Sequence, residues 1–331
     1  MKKIIFTLLL TGSLIVTGQE SDDKGTFTLS GSVDVYHTSN FKSGSPGSLG
    51  VLYGGSGAAN GFGLGMANTI FAYEKGKAGV VADLAYGPRA VAANMYEGAI
   101  NQLYAYYKAS DKVTLTLGQF NTFLGYEVIS PTGNYHYSVS YLFNAGPFSH
   151  TGLKVNYAAT EDLSFLFALT NPHGLTSGAN PGNDYQLGFQ TGYKGQYFNL
   201  AYGADGFGFT DVLYLDYTGG FDLSETFYAG INAAYSKSKD ADAGYQGFAL
   251  YLQSTFSDTF SLGFRPEFFT YTSGAGDTNV SAFTLSANLS LTESLKIIPE
   301  VRIDSSKDLI IPGFPGDKTM TGATLAAIYS F

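Results

Sequence analysis

One constraint runs along almost the whole chain: apolar and polar residues alternate with a period of two. In 295–304, LKIIPEVRID, residues Leu295, Ile297, Pro299, Val301 and Ile303 fall on one face. Lys296, Ile298, Glu300, Arg302 and Asp304 fall on the other. FALYLQSTF sets Phe248, Leu250, Leu252 and Phe256 against Tyr251, Gln253 and Thr255, and LSFLFAL and TFTLSGSVDV behave likewise. A period of two is that of a β-strand, and a helix cannot sustain it.

The turns carry a second pattern. Short polar connections stand at 74–77, 110–112, 160–162, 194–196, 222–226, 257–259 and 292–294. They are spaced by roughly 29 to 38 residues, with one gap of about 50. Between them lie longer connections rich in Gly, Asn, Asp and Pro, such as 39–60, 172–184 and 305–318. Strands begin near residues 26, 63, 77, 99, 112, 150, 163, 185, 197, 212, 226, 247, 260, 280, 295 and 319. That makes about sixteen, an even number with both termini on one side, as in bacterial outer-membrane barrels.

An all-β chain with one apolar face folds as a soluble sandwich or as a barrel facing lipid. Charged residues make up only 14% of this one, against roughly 25% in soluble domains. Tyr73, Tyr86, Tyr107, Tyr157, Tyr193 and Tyr202 stand near strand ends, where rings form girdles at the membrane interfaces. In lipid every backbone polar group needs an internal partner, so the sheet must close. These features predict an all-β fold, a transmembrane antiparallel barrel of about sixteen strands, in the bacterial outer membrane with lipid as its surroundings.

The ends agree. MKKIIFTLLLTGSLIVTGQE has a basic start, an apolar core and small residues ahead of Gln19, which predicts a signal peptide over 1–18 and a barrel over 19–331. Its removal takes away Lys2 and Lys3 and moves the net charge from −9 to about −11, which argues against nucleic acid as a partner. The last strand ends in Tyr329 and Phe331, an expected recognition signal for the barrel-assembly machinery.

A sixteen-strand barrel is roughly 32 Å across, too wide for wall side chains to fill. Alternation aims Asp34, Asp83, Lys108, Lys154, Asp216, Arg265, Glu267, Lys296, Glu300, Arg302 and Asp304 inward. These are the candidate pore-lining residues. They either spread a field across the lumen or pair along the wall, and their near balance of sign leaves ion selectivity open.

The anomalous turn gap falls on 121–150, between strands 5 and 6. This segment holds Phe123, Tyr126, Tyr135, Tyr137, Tyr141, Phe143 and Phe148 but a single carboxylate, Glu127. Turned outward it would expose a large apolar patch. Folded inward as a constriction loop, its rings pack on the wall while Glu127, Asn134 and His136 are expected to face water. The alternative is a lid over the barrel mouth.

Other chemistry finds little support. His37, His136, His150 and His173 have no metal-ligand spacing, and 240–244 begins like a calcium loop but has Tyr251 where the closing Glu belongs. Ser138 and Ser149 lie near histidines, but nothing marks a triad. No metal or cofactor is expected, and no enzyme activity.

The runs GQFNTFLGYE, NYHYS and GPFSHTGLK, in that order, resemble the putative β-barrel porin-2 family, most densely from about residue 68 to 171. The resemblance implies an outer-membrane channel for small solutes. The expected function is passive diffusion of small hydrophilic solutes or ions, with a homo-oligomer as one form. Alternatives are a plugged barrel that binds at its outer loops, and a membrane-embedded lipid hydrolase using Ser138 or Ser149.

Overall fold

The computed structural model describes residues 14–15, 24–41, 60–93, 99–173, 180, 182–206, 209–307 and 318–331. The proposed cut ahead of Gln19, and most of the connections 39–60, 172–184 and 305–318, lie outside these residues. Within the proposed leader, Leu14 and Ile15 pair antiparallel with Leu29 and Thr28.

Sixteen antiparallel strands then follow in chain order. They are β1 (Thr26–Asn40), β2 (Gly61–Lys75), β3 (Ala78–Tyr86), β4 (Ile100–Ser110), β5 (Val113–Asn121), β6 (Ser149–Ala158), β7 (Leu163–Thr170) and β8 (Gln186–Tyr193). The second half comprises β9 (Gln196–Gly203), β10 (Val212–Asp222), β11 (Phe227–Ser238), β12 (Ala243–Ser257), β13 (Phe260–Ser273), β14 (Gly276–Ser290), β15 (Leu295–Ser306) and β16 (Thr319–Ser330). Each pairs with its neighbours in sequence, and β16 returns to β1 from Gly322 opposite Asn40 to Ser330 opposite Ser32. The sheet is therefore a closed barrel with no free edge. Phe331 completes the seam, exchanging two 3.0 Å backbone hydrogen bonds with Gly31.

The turns sort by side as alternation demands. The connection between β8 and β9 is Lys194–Gly195, both with positive φ (50° and 80°), the backbone of a tight two-residue hairpin. At the opposite end the long segments emerge, including helix α1 (Pro88–Ala93) and helix α2 (Tyr141–Ala145). The structure departs from the sequence reading at β12 and β14, which begin at Ala243 and Gly276, about four residues earlier than expected. DADAGY and SGAGDT read as loop because they are small and polar. Here they are strand extensions closed by short turns, with Asp242 and Gly276 at positive φ.

The two faces of the wall differ as the period predicts. Val33, Val35, Leu103, Leu117, Phe167, Leu187, Leu285, Val301 and Leu325 are exposed on the outer face. So are the six girdle tyrosines, Tyr73, Tyr107, Tyr157 and Tyr193 near the short turns and Tyr86 and Tyr202 at the other end. Tyr329 is exposed on the same outer face. The inner face is polar and largely buried, and on β10–β15 the segment between β5 and β6 packs against it.

Candidate functional site in the barrel interior

Residues 122–148 carry one 3-10 turn (Pro131–Gly133) and the short helix α2. The rest is irregular backbone. Inside a barrel such a chain has no strand to pair with, and each N–H or C=O left without a partner costs a few kcal/mol. Charges on the inner wall supply those partners. Tyr137 N–H and Ser138 N–H donate to the two carboxylate oxygens of Glu300 at 3.0 and 3.2 Å. Tyr141 N–H and Leu142 N–H donate to Glu267 at 3.0 and 2.9 Å. Ser140 N–H donates to Glu127 at 2.7 Å, and Arg265 donates to the same carboxylate at 2.5 Å.

The carbonyls are answered by guanidinium groups. Arg265 donates to Ser138 O (2.7 Å) and Val139 O (3.1 Å), and Arg302 to Val139 O (2.7 Å). Arg89, on α1, donates to Tyr137 O at 3.1 Å and lies over the Tyr137 ring. The stretch 137–142 is thus held by its main chain through charge-assisted hydrogen bonds, which are stronger than neutral ones.

Side chains extend the docking around the wall. Tyr137 Oη donates to Asp34 on β1 at 2.5 Å, and Tyr141 Oη to Asp304 at 3.0 Å. Asp304 is also paired with Arg302 at 2.7 Å. Gly125 N–H donates to Asp216 on β10 at 2.9 Å, where Asn199 and Asn232 also donate. Tyr126 stacks on Tyr251 of β12 with ring centres 4.0 Å apart, and its hydroxyl meets that of Tyr228. Tyr135 Oη donates to Ser261 on β13, and Phe123 stacks on His150 at 4.9 Å.

Of the residues expected to line a pore, Arg265, Glu267, Glu300, Arg302 and Asp304 all point inward, and none is more than 2% exposed. Asp216 is buried beside them. Asp83 faces inward too, but its partners are the amides of Asn101 (2.6 Å), Asn68 and Gln102 rather than the loop. Lys108 pairs with Glu74 at 2.6 Å, both half-exposed. Lys154 lies 4.3 Å over the Phe120 ring. Lys296 is half-buried near the short-turn end of β15.

Three expectations about the loop need correction. Glu127, Asn134 and His136 do not face water: they are 4%, 7% and 1% exposed. Glu127 neutralises the buried Arg265. Asn134 brackets Val128, accepting from its N–H and donating to its C=O. His136 Nδ1 meets Ser286 Oγ at 2.8 Å, and Ser286 donates its one hydrogen to Glu300. The imidazole must therefore donate from Nδ1. Burial, followed by the nearby Arg265 and Arg302, holds His136 well below the ordinary imidazole range, so it is neutral.

Ser138 is fully buried and its Oγ accepts from Arg265 and Arg302. That occupies the hydroxyl a nucleophile would need free. Among the described residues no cluster of His, Asp and Glu is arranged to hold a metal. Sequence reasoning missed Arg89, Ser286, the part played by Tyr251, and Tyr36, whose ring lies 5.8 Å from that of Tyr137. Arg89 carried one readable sign, as the single cation between β3 and β4.

Comparison with known proteins agrees with the barrel fold. The family model described as putative beta-barrel porin-2, OmpL-like, matches residues 26–331. No curated protein matches the sequence. Among solved structures, the chain is similar to the anion-selective porin from Comamonas acidovorans, with TM-score 0.64, 12% identity and 93% and 100% of the two chains covered. It is also similar to the outer membrane channel DcaP of Acinetobacter baumannii, with TM-score 0.61, 12% identity and 96% and 100% covered. OmpT of Vibrio cholerae, in a trimer form, has TM-score 0.59, 11% identity and 93% and 100% covered. At such identities these likenesses concern the fold.

Proposed function

The chain belongs to the putative β-barrel porin-2 family, and from that premise we propose that it is a diffusion channel whose lumen is narrowed by the docked segment 122–148. It sits in the outer membrane, and small hydrophilic solutes or ions pass through the part of the lumen the loop leaves open. The observation that carries this reading is the docking of 137–142 on Glu300, Glu267, Arg265 and Arg302, which fixes irregular backbone across the interior. Polar wall positions away from the loop, such as Glu74, Lys108 and Lys154, are then the ones a solute meets. In this reading residues 1–18 are a cleaved leader, Tyr329 and Phe331 are read by the assembly machinery, and the barrels associate as homo-oligomers.

The test is single-channel recording in planar bilayers of the wild type and of a variant with 126–144 replaced by a short Gly-Ser link. Conductance steps in the wild type that grow several-fold in the variant support a narrowed channel. No steps from either protein, once folding is verified by heat-modifiable migration, refute it.

A second reading has an observation of its own. The segment makes polar or ring contacts with β1, β8, β10, β11, β12, β13, β14 and β15, a span that also suits a plug. A plugged barrel conducts only after the segment is removed.

A further inference from the structure

The wall opposite the loop rings is not evenly built. Gly188 on β8, Gly230 on β11 and Gly263 on β13 all occupy inward positions, two residues from Gln190, Asn232 and Arg265, which bond within the barrel. An added Cβ at Gly230 would stand 2.6 Å from the Tyr126 hydroxyl oxygen and 2.9 Å from its Cζ. At Gly188 it would strike the Phe123 ring, and at Gly263 the Tyr135 ring, with His136 Cε1 at 3.2 Å. Real Cβ contacts essentially never fall under 3.0 Å. Each of these three loop rings therefore rests on a wall position where any side chain would displace it.

The charges hold the loop's main chain at 137–142, but the rings of Phe123, Tyr126 and Tyr135 lie outside that stretch. Carboxylates and guanidinium groups on long side chains tolerate shifts of an ångström or more. A ring packed against bare backbone and stacked on a second ring does not. Tyr126 meets Gly230 through its hydroxyl end and stacks on Tyr251, the residue paired with Gly230 on the neighbouring strand, and Phe123 meets Gly188 through Cζ and stacks on His150. Close-packed contacts of this kind are sensitive to a single methyl group.

We propose that Gly188, Gly230 and Gly263 are positioning residues: sockets that set where the loop crosses the lumen, and hence the width of the opening. The width part rests on the channel reading above; the socket part does not. Among the described residues a contrast exists within the same wall. Gly79 sits under the Tyr106 ring, which belongs to the wall itself, so filling it should leave the loop in place.

The chain has no cysteine, so one can be introduced as a reporter. Val139 is 1% exposed and makes no side-chain hydrogen bond, so Val139→Cys reports loop position by its reaction with a maleimide. In folded barrels, Gly230→Val and Gly263→Val are expected to raise the labelling rate at least about tenfold, and Gly79→Val to leave it unchanged. Where a valine variant does not fold, the alanine variant is measured instead. The decisive arm is the pair Gly230→Val and Tyr126→Ala. If the socket acts through the ring, Gly230→Val has little further effect once Tyr126 is trimmed. Additive effects, or unchanged labelling in the valine variants, overturn the proposal. Altered labelling with no conductance in any form leaves the sockets standing and refutes the channel.

Discussion

The inner wall at β13–β15 and the inner wall at β4–β6 are built from the same kinds of residue, yet they use them differently. On β13 and β15, Arg265, Glu267, Glu300, Arg302 and Asp304 are sealed from water and bonded to the loop's main chain or to each other. On β4 and β6, Lys108 keeps a half-exposed pair with Glu74, and Lys154 covers a ring. An inward charge in a wide barrel thus has two employments. It can meet solutes, or it can stand in for the strand partner that an inserted loop lacks. Parity along the strand assigns both groups to the lumen and cannot separate them. The path of 122–148 does.

The contrast breaks most visibly at Arg265. Arg265→Ala leaves Glu127 charged and unpaired in the interior, a change that typically costs about 3–5 kcal/mol. The expected outcome is a large loss of resistance to urea unfolding, or a barrel with a released loop that digests with chymotrypsin. Unchanged unfolding and digestion would place Arg265 with the solute-facing group. Glu267→Gln tests the next step. It keeps the shape but removes the charge that receives two N–H groups, and an expected loss of about 1–3 kcal/mol is read from the same urea titration.

The pH dependence sharpens the loop side further. His136 is neutral in the folded protein because its pKa is held well below the ordinary value. The unfolded chain binds a proton near pH 6.5 while the folded chain does not, so stability is full above that pH and falls as pH drops below it, by up to about 1.4 kcal/mol per pH unit. Comparing wild type with His136→Gln between pH 7 and 5 isolates this term, since the wall carboxylates titrate in both. Equal slopes would show that the imidazole accepts a proton in place. The smallest effect is expected on the other wall. Lys108→Ala breaks a half-exposed pair worth about 0–1 kcal/mol, so stability hardly changes. Its reversal potential under a salt gradient should move, whereas that of Glu267→Gln should respond only if the loop moves.

Much of this was legible in the residues. Alternation located all sixteen strands, and the gap at 121–150 marked the segment whose main chain bonds to charges on the wall. What alternation could not show was the partner of each charge. That Glu300 receives Tyr137 N–H depends on the loop's conformation, which no periodicity encodes. Water was the default partner for Glu127, Asn134 and His136, but a buried guanidinium, a neighbouring peptide group and a wall hydroxyl took its place. Arg89 escaped notice because its role appears only where α1 meets Tyr137. In a chain with 42 glycines nothing in the sequence marks Gly230 and Gly263; their contacts with Tyr126 and Tyr135 come from the loop's path.

The central claim is that wall charges hold the main chain of 137–142. Amide hydrogen exchange on the refolded protein tests it most directly, at Tyr137, Ser138, Ser140, Tyr141 and Leu142. The account predicts that these five amides exchange as slowly as the flanking barrel strands, and that Glu267→Ala releases Tyr141 and Leu142 first. Exchange at the rate of an open surface loop in the wild type would contradict it.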